Sequence, residues 1–247
     1  MALAAAGWWG PGAAAHSPVL ARLLGVPLSM TGHRDCEGDA VALTFDDGPD
    51  PRGTPAVLDA LGAAGATATF FLVGEQVRRR PSLVTELVAA GHEPAVHADR
   101  HRCQLRLTPG TFADDLARAV ATIAEAAGRA PSLYRPPYGA FTLGGLCEVR
   151  RAGLEPLLWS RWGRDWRSEA TPASIAALAT RSLTARDVVL LHDCDAYCAP
   201  GAGLRTARAL PRILAGVQER GLRATAVKGA RRPSSRTDTD IAATVCD

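Results

Sequence analysis

Residues 42–49 read ALTFDDGP, an apolar run that ends in Asp46 and Asp47 and then a glycine and a proline. Two adjacent carboxylates repel and raise each other's pKa, so a doubled acid beside a buried strand is costly. A bound divalent cation relieves that repulsion. One aspartate can then hold the ion while its neighbour serves as general base, and the pair itself does not say which. Asp, Gly and Pro also suit an ordinary turn, but a turn does not explain the doubled acid. A second group lies in HEPAVHADRH, where His97 and His101 stand four apart. That spacing puts both imidazoles on one face of a helical turn. Two histidines and a carboxylate hold zinc with a position left open for water. A metal can lower the pKa of water from about 15.7 to about 7. H-x3-H alone reads as two solvated histidines; joined to the acidic pair it reads as a cation site. A closed structural zinc site would need a fourth ligand, and none adjoins the histidine pair in sequence. His92 reads as structural.

The elements that must position these groups alternate regularly. Apolar runs that suit buried strands lie at 41–45, 67–72, 93–96, 133–135, 155–160, 188–191 and 224–227. Helix-like segments separate them, and three start with Thr-Pro: Thr54-Pro55, Thr108-Pro109 and Thr171-Pro172. A threonine N-cap with proline at the first helical position is a helix start with a mechanism. From Phe112 to Ile123 the apolar residues follow a helical stripe that ends at Gly128. Strands alternating with helices predict a parallel sheet. No GxGxxG or P-loop follows the first strand, so a parallel (β/α) barrel is the better expectation. Barrels carry their chemistry at the C-terminal strand ends. Polar clusters do follow the runs: DDGP, HADRH, RPPYG, RWGRDW and HDCD.

Composition narrows the classes. The chain has 247 residues, a net charge of +3 and 47% hydrophobic residues, which suits one large α/β domain. Lys228 is the single lysine, and the arginines are scattered among acids, with no basic stripe for nucleic acid. No run reaches the 18 or so apolar residues of a membrane span. The N-terminal MALAAAGWWGPGAAAHSP contains the A-x-A triplet Ala13–Ala15 but no basic n-region. An unprocessed cytoplasmic protein is the expectation, with export as the alternative. The six cysteines form no C-x-x-C pair, so free thiols are expected, a Cys194–Cys198 bridge being the alternative. Residues 1–39 read as an extension, 40–227 as the domain, and 228–247 as a disordered polar tail.

TFDDGP, HADRH, RPPYG, RDW and LLH occur in this order across residues 40–227. The chain thereby resembles the NodB-type polysaccharide deacetylases, carbohydrate esterase family 4. The resemblance implies a distorted (β/α)7 barrel and a metal-dependent hydrolase that removes the acetyl group from N-acetylated amino sugars. It implies Asp46 as base, and Asp47, His97 and His101 as ligands of a divalent metal. Zinc is the default for that donor set; cobalt, nickel or manganese also fit. Arg135 resembles the arginine that orients the base, and the Tyr138 N–H the oxyanion donor. Asp165 resembles the partner of the acid, His192 the acid, Trp166 a wall of the groove and Leu190 the floor of the acetyl pocket.

Two positions depart from the pattern. Ala98 stands where a Ser or Thr hydroxyl usually steadies the loop, and Trp162 where an aspartate is usual. Trp159, Trp162 and Trp166 are spaced like a helical stripe, but Gly163 and the preceding LEPLLWS favour a loop. Trp162 then reads as an extra aromatic wall or as plain packing, the sequence favouring neither. Asp193, Asp195 and Tyr197 border the site in this reading and could contact substrate. The expected substrate is a small N-acetylated sugar or glycoside. An exported chitin-oligomer or peptidoglycan deacetylase is the runner-up, and a sugar-binding barrel without catalysis is the alternative of another class.

Overall fold

A computed structural model describes residues 19, 21, 24–28 and 38–227. The 228–247 tail, the Ala13–Ala15 triplet, Cys36 and Cys246 lie outside the described residues. The strands are β1 Ala40–Asp46, β2 Thr69–Val73, β3 Glu93–Ala98, β4 Leu133–Tyr134, β5 Glu155–Pro156, β6 Arg161–Trp162, β7 Val188–His192 and β8 Arg223–Thr225. The helices are α1 Gly53–Ala63, α2 Gly74–Arg79, α3 Pro81–Ala89, α4 Pro109–Ala127, α5 Leu143–Arg151, α6 Pro172–Thr180 and α7 Ala202–Gln218. The sheet runs β5-β4-β3-β2-β1-β7-β6, with β8 beside the start of β1. Its ladders are parallel. The sheet curls into the expected distorted (β/α)7 barrel. Among the described residues no ladder joins β5 to β6, so the barrel stays open there.

Strands covered on both faces read as continuous apolar runs, and β1, β2 and β3 are buried along their whole length. Their two faces still differ. Val41, Leu43, Phe45, Phe70, Leu72, Val96, Val189 and Leu191 pack in the larger core with the helices. Ala40, Ala42, Phe71, Ala95 and Val188 form a smaller core inside the barrel. Side chains alternate faces along a strand. Continuing the inner set to the C-terminal ends gives Thr44 and Asp46 on β1, His97 on β3, and Leu190 and His192 on β7.

Three local expectations change. The 155–160 run is not one strand: it breaks after Pro156, and pairing resumes at Arg161. In the break, Leu157 O and Leu158 O accept from the Arg135 guanidinium at 3.1 and 2.8 Å. Thr108 and Thr171 cap α4 and α6 as expected, the latter in a capping box with Ser174. Thr54 does not cap α1, which begins one residue earlier. Asp50 Oδ1 accepts from Arg52 N and Gly53 N instead, at 2.9 and 2.8 Å. Thr54 Oγ1 is free to donate to buried Asp193 at 2.5 Å. Part of the segment read as an N-terminal extension packs on the barrel. Ala21 and Val26 join the core, and Pro27 O accepts from Leu158 N at 2.9 Å. No helix among the described residues is long and apolar enough to cross a membrane.

The glycines of α1 give a paired test. A Cβ at Gly53 would lie 2.1 Å from the Asp193 carbonyl oxygen, whereas one at Gly62 would meet nothing within 4 Å. Gly62→Ala is expected to stabilise by about 0.5–1 kcal/mol through helix propensity. Gly53→Ala is expected to destabilise by about 1–3 kcal/mol through overpacking, despite the same propensity gain. Urea unfolding midpoints check both signs.

Candidate active site

The inner-facing strand ends line a cleft of about 300 Å³ bounded by Asp46, Asp47, His97, His101, Leu190 and His192. Consecutive strand residues point to opposite faces, yet Asp46 and Asp47 both line it. The left-handed backbone of Asp47, φ 81°, makes this possible by turning the chain at the end of β1. Its N–H donates to Phe71 O at 3.2 Å, which ties the turn to β2. Gly48 is required next, since a Cβ there would lie 2.5 Å from the Asp193 carboxylate.

His97 is the penultimate residue of β3, but His101 does not follow on a helical turn. The chain leaves β3 through Ala98 at φ 122° and forms a loop. The loop is held from behind rather than by a hydroxyl at position 98. Asp115 of α4 accepts from Asp99 N at 2.8 Å and from Arg102 at 2.6 Å. Asp99 in turn pairs with Arg78 at 2.5 Å and Arg118 at 3.4 Å. His101 is stacked on Tyr197, with centroids 4.3 Å apart, and meets the edge of Tyr138 at 4.8 Å. Tyr138 itself has a left-handed φ of 61° and is exposed.

Asp47 Oδ1 lies 3.5 Å from His97 Nε2 and 3.3 Å from His101 Nε2. His97 Nδ1 is 2.8 Å from Arg135 O. A carbonyl only accepts, so Nδ1 carries the hydrogen and Nε2 presents its lone pair to Asp47. Burial lowers the pKa of His97 and of His101 to about 3, with help from Arg135 for the first and from His97 for the second. Both imidazoles are therefore neutral and able to bind a metal. Burial, with Asp46 adding to it, raises Asp47 to about 7, and its Oδ1 is buried without a hydrogen-bond partner. An orphaned carboxylate oxygen facing two neutral imidazoles fits a divalent cation.

Asp46 is held differently. Arg135, with no exposed surface, donates to Asp46 Oδ1 at 2.7 Å and to Thr44 Oγ1 at 2.8 Å. Its guanidinium lies 3.9 Å over the Phe71 ring. Burial pushes the Asp46 carboxyl up and the Arg135 guanidinium down, and their attraction opposes both shifts. Oδ2 of Asp46 remains on the His97 side, 3.8 Å from Nε2. Asp46 and His192 face each other in register across β1 and β7. His192 Nδ1 meets Asp165 Oδ1 at 2.9 Å, and its backbone N–H donates to Asp165 Oδ2 at 2.6 Å. Thr206 of α7 also donates to that oxygen, at 2.7 Å. Burial pulls the His192 pKa down, but Asp165 outweighs it, and the imidazole is raised to about 10.

The tryptophans are not a helical stripe. Trp162 lies on β6 and is 6.3 Å from Trp159 and 5.9 Å from Trp166, whose ring is 5.5 Å from His192. All three line the cleft with Tyr138, Leu190, Tyr197 and Cys198. Arg135 and Asp165 stand behind it, fully buried. Asp193 and Asp195 do not reach the cleft wall. Asp193 is buried against Thr54, and Asp195 accepts from Gly201 N and Gly203 N at the start of α7. Sequence reasoning missed Trp159, Thr206 and Cys198. Cys194 and Cys198 are free thiols, not a bridge. Burial and Asp47 both raise the Cys198 pKa, so without a cation it stays a thiol.

A polysaccharide deacetylase family model matches residues 33–157, a span that holds Asp46, Asp47, His97, His101 and Arg135. The chain belongs to the polysaccharide deacetylase family. A chitooligosaccharide deacetylase of Bradyrhizobium sp. is 35% identical over 74% of this chain and 86% of its own. A peptidoglycan-N-acetylglucosamine deacetylase of Bacillus cereus is likewise 35% identical, over 74% and 84%. Among solved structures, a family 4 acetyl xylan esterase from Clostridium thermocellum, in complex with a cobalt ion, superposes with a TM-score of 0.69. It is 28% identical and covers 76% of this chain and 87% of that one.

The two aspartates should fail in different ways. Asp47→Asn should weaken metal binding strongly, because a neutral amide oxygen is a poorer donor to a dication than a carboxylate. Asp46→Asn should retain the metal yet lose about a hundredfold or more in turnover. Metal stoichiometry and turnover measured on both variants check this; metal loss confined to Asp46→Asn would reverse the roles. Asp165→Asn should remove the largest opposition to burial at His192, leaving only Asp47 and Asp46, and lower its pKa. The alkaline limb of the pH–rate profile should then move down by more than about one pH unit. The stability contributed by the raised His192 pKa is fully present below the unfolded value of about 6.5 and is lost as pH rises toward the folded one. Asp165→Asn should therefore cost most at or below neutral pH, and urea unfolding at pH 6 and 10 measures the difference.

Proposed function

We propose that the protein hydrolyses the N-acetyl amide of an N-acetylated amino sugar or small glycoside and releases acetate. One observation carries the reading. A carboxylate held by an arginine and an imidazolium held by a carboxylate face each other across a cation-fitting triad. Amide hydrolysis needs those parts: a base for water, charge stabilisation at the carbonyl oxygen, and a proton for the departing nitrogen. A divalent cation held by Asp47, His97 and His101 supplies Lewis acidity that lowers the pKa of water and offsets carbonyl charge. We take zinc as the resident ion, since two imidazoles and a carboxylate suit a borderline cation; cobalt, nickel and manganese fit the same donors.

The chain's own groups do the rest. Asp46 takes the proton of the attacking water, and its Oδ2 is the oxygen that Arg135 leaves available. The Tyr138 N–H donates to the oxygen of the scissile carbonyl. Leu190, on the inner face of β7, underlies the acetyl methyl. His192 Nε2 delivers its proton to the leaving amine while Asp165 holds Nδ1, an effect worth about 10²–10⁴-fold. Trp162 and Trp166 offer faces on which a sugar ring stacks. A sugar-binding barrel without catalysis would have no use for an imidazolium backed by Asp165.

Acetate release from a panel of N-acetylated mono- and oligosaccharides, chitin oligomers and peptidoglycan tests the reading. Turnover should vanish on chelation and return with zinc or cobalt. Full turnover by protein shown to be metal-free would overturn it. Trp162→Ala should raise KM by about tenfold, with kcat changed less, because it removes binding shared by ground and transition states.

A further inference from the structure

Asp47 turns its two oxygens toward two different groups. Oδ1 faces His97 and His101. Oδ2 faces Cys198 Sγ at 3.6 Å and His192 Nε2 at 4.0 Å. The ligand atoms of Asp47, His192 and Cys198 lie within 4.8 Å of one another, as do those of Asp47, His97 and His101. With bonds of about 2.0 Å to nitrogen and oxygen and about 2.3 Å to sulfur, the donors of a tetrahedral zinc stand about 3.3–3.6 Å apart. The Cys198–Asp47 edge already has that length, and the His192–Asp47 edge must close from 4.0 Å to about 3.3 Å. His192 is also oriented as His97 is. Each has Nδ1 fixed by an acceptor behind it, Asp165 at 2.9 Å and Arg135 O at 2.8 Å, which leaves Nε2 on the Asp47 side.

We propose that Asp47, His192 and Cys198 form a second cation site, selective for thiophilic dications such as zinc and cadmium, whose occupation silences the general acid. Asp47 then bridges two ions through its two oxygens. As the second ion binds, the Sγ and Nε2 protons leave to solvent. One dication replaces two protons, so no net charge accumulates beside the first ion. With Nε2 bound to a cation, His192 has no proton to give the leaving amine. The thiolate sets the selectivity, because sulfur favours zinc and cadmium over magnesium and manganese. Zinc in excess of one equivalent therefore inhibits, and manganese does not.

The test is a cadmium titration of the full-length protein after removal of its metal, followed by thiolate-to-metal absorption in the ultraviolet and by equilibrium dialysis. The expected result is two bound equivalents, with the thiolate band growing only during the second. Cys198→Ser should keep the first equivalent and lose both the second and the band. His192→Gln should keep the first and weaken the second at least about tenfold. A band that grows with the first equivalent would assign Cys198 to the ion of His97 and His101 and overturn the second site. A second equivalent that binds unchanged in Cys198→Ser would place it at another cysteine, with the same consequence. Loss of both equivalents in both variants would make the two triads one site and also overturn the proposal.

Discussion

A guanidinium with no access to water organises this site. Burying an unpaired charge costs several kcal/mol, so each nitrogen of the Arg135 guanidinium needs a partner. It finds them in four places: Thr44, Asp46, Leu157 O and Leu158 O. Each bond has a structural consequence. The bond to Asp46 fixes the carboxylate that the cation triad does not use. The bonds to Leu157 and Leu158 use two carbonyls in the break between β5 and β6. The carbonyl of Arg135 meanwhile sets the tautomer of His97. Arg135, the residue after β4, thus holds the candidate base with its side chain and a candidate metal ligand with its carbonyl.

The fold was largely legible because its strands are buried on both faces and helices intervene. Alternation along β1 even marks Thr44 and Asp46 as inward residues. The limits of that reading were local. In the broken strand at 157–160 two carbonyls bond an arginine from β4's end, which no short window around Leu157 contains. Thr54 is not the cap of α1 because the helix begins ahead of it at Gly53, where Asp50 Oδ1 accepts from Arg52 N and Gly53 N, and the Thr54 hydroxyl bonds Asp193 instead. The spacing of His97 and His101 suggested a helix, whereas a left-handed Ala98 and the Asp99–Asp115 network bring them together in a loop.

The site itself was legible from residue types wherever motifs were compact, as in DDGP and HADRH. What escaped were residues whose role depends on long-range closure. Thr206 reaches Asp165 from α7, and Cys198 reaches Asp47 from the loop that precedes that helix. Composition gave Cys198 the simplest partner, Cys194 in the same pentapeptide. The fold gave it a carboxylate 151 positions away instead.

The loop that carries His101 has one more consequence. Its backbone is bonded to Asp115, its acid is paired with two arginines, and its imidazole is held between two tyrosine rings. None of these contacts needs a metal ion. In small zinc domains the ion supplies the folding energy and the ligands are disordered without it. Here the loop that carries His101 is tied by protein contacts of its own, which lowers the share of ordering an ion would have to supply. Removal of a bound ion should therefore leave the His101 loop tied to α4 and to the tyrosines, so that the fold does not depend on the metal.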